Sequence, residues 1–295
     1  MEYVIKNDSL TVTVSTAAGA LTSIKDSEGV ERLWQGDPGF WKGQDPTCFP
    51  ICGSIRNNEA VLRNGKITKM PRHGLLKNAD FTCTAHKDTT VTMSVTADDA
   101  MIEAFPFRFR FDITYTLKGN ALEVAFTVTN LETEEVMPFM LGGHPGFCCP
   151  VLEGETYEDY YLEFSEEETC TVPRDDTETA LFDVSVRTPF LDHQKILPLT
   201  HAYFDIDLVC LDELKSRSIT LASRKSAKTL TLNFADFSYI MLWSTKKHAD
   251  FLAIEPWIGM STCSDEGDIF EEKRLCQFAD PGESKRYAFE IVIGG

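Results

Sequence analysis

The chain has 295 residues, 43% of them hydrophobic and 25% charged, a balance ordinary for a globular protein that folds around its own core without metal or disulfide. Its 46 acidic against 28 basic side chains give a net charge of −18, which argues against nucleic acid as a partner, since phosphate binding needs concentrated Lys and Arg. Nine cysteines without a paired framework, an N-terminus without basic or long apolar segments, and no apolar run near the roughly 20 residues that cross a bilayer predict a cytoplasmic chain with reduced thiols and no membrane contact.

Along the chain the dominant period is two. Leu10, Val12 and Val14 alternate with polar residues and predict a first strand. The segment Pro50-Ile51-Cys52-Gly53-Ser54-Ile55-Arg56-Asn57-Asn58 follows, with Arg56 as a cation at a turn. Next comes Met70-Pro71-Arg72-His73-Gly74-Leu75-Leu76-Lys77, an imidazole beside a glycine with two cations close by. Val91, Met93 and Val95 predict another strand, and Asp98–Ala104 a turn of helix before Pro106. From Phe107 to Leu117 and from Leu122 to Val128, apolar and polar residues alternate on either side of Lys118-Gly119-Asn120, which predicts a long hairpin with one face in a core.

His144 stands apart from most of the six histidines. It lies in Gly142-Gly143-His144-Pro145-Gly146-Phe147, after the apolar run Met137–Leu141. The glycines permit close approach of a ligand, and Pro145 biases His144 towards extended backbone. Such an imidazole suits general acid–base work near neutrality, and equally suits a buried histidine bonded to a loop carbonyl. His86, His193, His201 and His248 sit in plainer settings that predict surface or structural roles.

Further on, Glu166-Glu167-Glu168 and Arg174–Glu178 read as solvated loops. Asp205 and Asp207 bracket Ile206 at a strand edge or turn. After the strand pattern of Leu230, Leu232 and Phe234 comes Phe251-Leu252-Ala253-Ile254-Glu255-Pro256-Trp257, which ends an apolar strand on a carboxylate. Trp257 offers a flat apolar face with an N–H donor, and an aromatic beside a carboxylate raises its pKa by desolvation. The alternative is that Glu255 caps a backbone turn while Trp257 sits in the core. Gly267–Leu275 predicts one more helical turn, and Tyr287 to Ile293 a last strand. Strands this numerous, with few short helices, predict an all-β fold, a large antiparallel β-sandwich forming one domain over residues 1–295. The sequence has no metal-binding pair at helical or knuckle spacing, no P-loop, no Gly-x-Gly-x-x-Gly and no nucleophile elbow, so neither metal nor cofactor is expected.

Taken in order, Phe49–Gly53, Met70–Gly74, Gly142–Phe147, Phe204–Leu208 and Ile254–Gly259, with Ala104-Phe105-Pro106-Phe107 leading into the hairpin, resemble the aldose 1-epimerase (galactose mutarotase) superfamily, most nearly its LacX-like branch. The likeness runs from about Leu10 to Ile293. Where many relatives read His-Gly-Phe-Ala-Arg, this chain reads His73-Gly74-Leu75-Leu76-Lys77. The resemblance implies a β-sandwich with an open sugar cleft. It implies Glu255 as the base that takes the anomeric hydroxyl proton and His144 as the acid that protonates the ring oxygen. It further implies His73 and Asp207 as sugar-binding groups, with Trp257 as a platform and Arg56 as the substrate arginine. The reaction would interconvert α and β anomers of an aldohexose without a cofactor, in a monomer or homodimer. Two rival readings remain: a hexose 6-phosphate as substrate, met by Arg56, Arg72 or Lys77, and a sugar-binding or sensing protein that has lost turnover.

Overall fold

The computed structural model describes residues 1–176, 178–205 and 207–295. The alternating pattern produces the expected hairpin. Strands Phe109–Lys118 and Ala121–Asn130 pair from Phe109 opposite Asn130 to Lys118 opposite Ala121. Gly119 turns the chain at φ +63°, a conformation that costs glycine nothing. Phe109, Phe111, Ile113 and Tyr115 all face inward and are buried, each contributing about 1.5–3 kcal/mol of transfer free energy. Phe107 is also buried but precedes the strand instead of opening it.

This hairpin lies within a nine-stranded antiparallel sheet. Beyond it on one side are Thr90–Thr96 and Thr82–Lys87, and on the other Ser284–Gly294, Thr229–Asn233, Ser218–Ser223 and the long pair Tyr160–Asp176 and Leu181–Pro198. A second antiparallel sheet centres on Phe251–Ile258, flanked by Tyr239–Trp243 and Leu208–Leu211 on one edge. Its other edge receives two short segments, Leu141–Gly142 and Gly146–Cys148. The sheets share one apolar core in which Phe49 packs on Phe109 and Phe111, and Phe126 on Phe237 and Phe289. Small antiparallel ribbons complete the molecule, including Glu2–Lys6, Leu10–Ser15 and Leu21–Asp26. The architecture is therefore the expected all-β one, with large antiparallel sheets.

Helix is sparse, as its weak periodicity predicts. Asp99–Ala104 forms a short α-helix whose N-cap, Asp98, accepts the Met101 amide N–H at 2.8 Å. The Gly267–Leu275 expectation shrinks to a 3₁₀ turn at Phe270–Glu272. No helix among the described residues is long and apolar enough to cross a membrane.

Two acidic runs differ from the loop expectation. Glu166 to Glu168 lie inside the strand Tyr160–Asp176, and Glu168 is fully buried, accepting the Lys215 and Ser216 amides. Those charge-assisted bonds compensate a desolvation that composition alone presents as prohibitive. Arg174 to Asp176 likewise belong to that strand, while Thr177 lies outside the described residues. The tip of this hairpin is anchored, because Phe182 N–H donates to the Thr262 carbonyl at 3.1 Å and Ser264 N–H to the Phe182 carbonyl at 2.7 Å.

Candidate active site

Every residue of Phe251–Ile258 is buried, so an ionisable group in its middle has no structural advantage. Glu255 is that group, only 2% exposed and directly opposite Met241. The neighbouring edge is broken at the same level. Leu141–Gly142 pairs with Trp257 and Ile258, Gly146–Cys148 pairs with Phe251 to Ala253, and Gly143 to Pro145 bow out between them. Pro145 and Pro256 lack N–H donors, which lets the ladder open here without orphaned amides. The remaining donors are met: Gly143 N–H reaches the Pro256 carbonyl at 3.1 Å, and Ile254 N–H the Pro145 carbonyl at 3.3 Å. Gly143 is small for a reason, since a Cβ there would lie 2.9 Å from the Phe289 ring.

The bowed segment brings His144 over Glu255, with His144 Nε2 3.3 Å from Glu255 Oε2. His144 Nδ1, Glu255 Oε2 and the Trp257 indole nitrogen are buried without a fully formed hydrogen bond among the described residues. Burial pulls the His144 imidazole down to about 3, with nearby Arg72 adding to the effect. Burial pushes the Glu255 carboxyl well above the usual carboxylate range, with Cys48 and Asp207 reinforcing the rise and Arg72 opposing it. Burial thus disfavours the charged form of both groups.

Around the pair is a cavity of about 660 Å³, lined also by Trp41, Arg72, His73, Asp207, Trp243 and Trp257. His73 meets His144 edge to face at 5.4 Å and Trp257 at 5.5 Å. Its backbone is left-handed at φ +64°, held by the His73 N–H bond to the Gly53 carbonyl at 2.7 Å and the Phe49 N–H bond to the His73 carbonyl at 3.2 Å. Burial lowers its pKa well below that of a free imidazole, and His144, Arg72 and Lys77 add to this. Asp207 also lines the cavity, where the Trp243 indole N–H donates to its Oδ1 at 3.2 Å. Ile206 beside it lies outside the described residues.

Five of the six residues picked from sequence thus converge on one cavity: Glu255, His144, His73, Asp207 and Trp257. Arg56 does not. Its guanidinium pairs with Asp268 and donates to the Glu266 carbonyl at 3.1 Å, away from the cavity lining. The chain turns at Arg56–Asn58, with Asn57 and Asn58 at positive φ, and this points the side chain at the Asp268 loop. Arg72 is the arginine that lines the cavity.

Sequence reasoning passes over several neighbours. Trp41 lies tilted against His144 at 5.2 Å and meets Trp243 edge to face at 5.2 Å, forming an aromatic wall. The glycine-flanked run Gly39-Phe40-Trp41-Lys42-Gly43 is the one signal that could mark it. Asp45 is buried beneath the site, accepting the Leu21 N–H at 3.4 Å and facing the His144 main-chain amide, and burial raises its carboxyl to about 7. Asp175 comes from the anchored hairpin. Burial raises its carboxyl to about 6, and the facing Asp207 carboxyl adds to the rise. No local pattern announces either aspartate.

The geometry has counterparts in known proteins. The family described as Aldose 1-epimerase matches residues 1–283 of this chain. The plasmid-encoded protein LacX of Lactococcus lactis subsp. lactis is 45% identical over 297 residues, covering 99% of both chains. A galactose mutarotase related enzyme from Lactobacillus acidophilus superposes with a TM-score of 0.93 at 28% identity, over 100% of this chain and 98% of the other. A galactose mutarotase-like protein from Lactobacillus casei gives 0.88 at 26% identity, over 99% and 100%.

Proposed function

This chain belongs to the aldose 1-epimerase family, and from that premise we propose that it is a cytoplasmic mutarotase, interconverting the α and β anomers of an aldohexose without a cofactor. The observation that carries the reading is the 3.3 Å approach of His144 Nε2 to Glu255 Oε2 inside a sugar-sized cavity. In a cyclic hemiacetal the anomeric hydroxyl and the ring oxygen share one carbon. An acid and a base serving those two oxygens must therefore be close neighbours themselves, as these two are.

Glu255 takes the proton from the anomeric hydroxyl while His144 delivers one to the ring oxygen, and the C1–O bond opens to the aldehyde. Rotation about C1–C2 and reclosure with reversed roles complete the exchange, leaving the enzyme unchanged. The raised Glu255 makes a strong base once ionised, and the lowered His144 makes a strong acid once protonated. The reactive form is the ionised carboxylate beside the protonated imidazole, a charge-separated pair that the polar sugar stabilises. His73 holds the same end of the sugar, Asp207 takes ring hydroxyls, and Trp257 with Trp41 and Trp243 packs the apolar ring faces.

The test is anomeric exchange of glucose, galactose and their 6-phosphates by NMR, with Glu255→Gln and His144→Asn beside the wild type. Each variant should lose about 10²–10⁴ in rate while its fold is retained, the usual effect of one acid–base group. Wild-type rates persisting in both folded variants would rule the pair out. Binding of a sugar by the wild type without any acceleration would make the protein a sugar binder instead.

A further inference from the structure

The long hairpin of Tyr160–Asp176 and Leu181–Pro198 is tied down at two places along its length. Arg187 pairs with Asp212, and the Thr171 N–H and hydroxyl donate to Glu213 at 2.9 and 3.0 Å, which holds the hairpin to the segment just after Leu208–Leu211. Nearer its tip, Asp175 stands opposite Phe182, whose side chain is buried and whose backbone is bonded to Thr262 and Ser264. Next to them Arg174 holds Asp183, which also accepts the Ser264 hydroxyl at 3.1 Å. The backbone around Asp175 is therefore pinned on both strands.

This anchoring sets a second carboxyl against the one that lines the cavity. Asp175 is in hydrogen-bonding contact with Asp207, whose Oδ1 already accepts the Trp243 indole N–H. Asp175 itself does not line the cavity, and its Oδ2 is buried without a hydrogen-bond partner among the described residues. Two ionised carboxyls in contact repel, whereas one proton between them makes a short, charge-assisted O–H···O bond. The groups that face Asp175 are Asp207, Arg72, Cys210 and its own neighbour Asp176. Arg72 alone favours the ionised form, and burial together with the two aspartates outweighs it. A proton on Asp175 also accounts for the buried oxygen that has no donor.

We propose that Asp175 is a positioning residue for sugar binding: its carboxyl O–H donates to Asp207 and, with the Trp243 indole, fixes how that carboxylate faces the sugar hydroxyls. Each partner occupies part of Asp207 and leaves its remaining lone pairs to the ligand, so the sugar meets an acceptor whose orientation is already set. When Asp175 ionises, the bond becomes a repulsion and Asp207 turns away from that orientation. The inference rests on the mutarotase reading, which makes Asp207 the partner of the ring hydroxyls, and adds the hairpin as part of the binding machinery.

The deciding experiment follows KM and kcat for anomeric exchange against pH in wild type, Asp175→Asn and Asp175→Ala. Below the Asp175 transition at about 6, Asp175→Ala should raise KM by about tenfold, with the loss falling on KM more than on kcat. Wild-type KM should climb as the pH passes through about 6 and the O–H is lost. Asp175→Asn keeps a donor and cannot ionise, so that climb should vanish from its profile. Taking each variant relative to wild type at the same pH cancels the titration of His144 and Glu255. A climb that persists in Asp175→Asn, or an unchanged KM in Asp175→Ala, would overturn the proposal and leave the mutarotase reading intact. A second readout needs no sugar: the ¹³C resonance of the Asp175 carboxyl should titrate at about 6, and Asp207→Asn should lower that midpoint. A midpoint that does not move refutes the carboxyl pair. Absence of turnover for every sugar would count against the mutarotase reading alone, because this titration decides the pair by itself.

Discussion

At the scale of single residues, the site separates two kinds of buried ionisable group. Glu255 and His144 face the cavity and each other, and neither has a fully satisfied hydrogen-bond shell, the condition expected of groups kept for a ligand. Asp45 is buried as deeply but is turned inward to amide donors, including that of His144. Its carboxyl rises from 3.8 to about 7, so the folded protein holds that proton more tightly than the unfolded chain. The stability it contributes is complete below about pH 4 and is lost as the pH climbs through about 7. Asp45→Asn keeps an acceptor for the amides and removes the titration. Its melting temperature should gain on the wild type steadily between those limits. The effect is on the order of a few kcal/mol, because each tenfold difference in proton affinity between folded and unfolded chain is worth roughly 1.4 kcal/mol. A gap between the two proteins that does not change with pH would show that Asp45 is ionised at no such cost. Local sequence makes His144 and Glu255 candidates because glycine and proline bracket them, whereas Asp45 has no comparable neighbours and only its burial singles it out.

At the scale of elements, the interrupted edge of the strand Phe251–Ile258 places His144 over Glu255. Gly142 pairs with Trp257, and a Cβ on Gly142 would run into the Trp257 indole and the Pro256 carbonyl. Gly142→Ala should therefore push Trp257 into the cavity, costing about 1–3 kcal/mol of stability and slowing exchange together. Gly267→Ala is the matched control, since nothing lies within 4 Å of a Cβ there, and should stay within about 0.5 kcal/mol. Denaturant titrations that fail to separate the two variants would argue against the close packing. Most elements are legible in the sequence: period-two runs mark the strands, and Lys118-Gly119-Asn120 marks the long hairpin. The acidic stretches are the exception, because strand Tyr160–Asp176 carries charge where a loop would, and the compensation for Glu168 comes from the Lys215 and Ser216 amides, remote in sequence.

At the scale of the whole molecule, 46 acidic and 28 basic side chains leave strong self-repulsion. Added sodium chloride screens that repulsion over a Debye length of about 10 Å at 0.1 M. Raising salt from low to moderate concentration should lift the melting temperature, and a fall would mean that attractive pairs dominate. What the sequence determined alone was whatever acts locally. Alternation specified an antiparallel all-β chain, and glycine and proline punctuation made His144 and Glu255 candidates, to which the family resemblance added His73. Tertiary structure decided what depends on residues far apart. It placed Arg72 in the cavity and Arg56 on Asp268, brought Asp175 from a hairpin tip to Asp207, and buried Asp45 beneath His144. The physical reason is that backbone preference is set by near neighbours, while desolvation and charge pairing depend on which segments the sheets bring together.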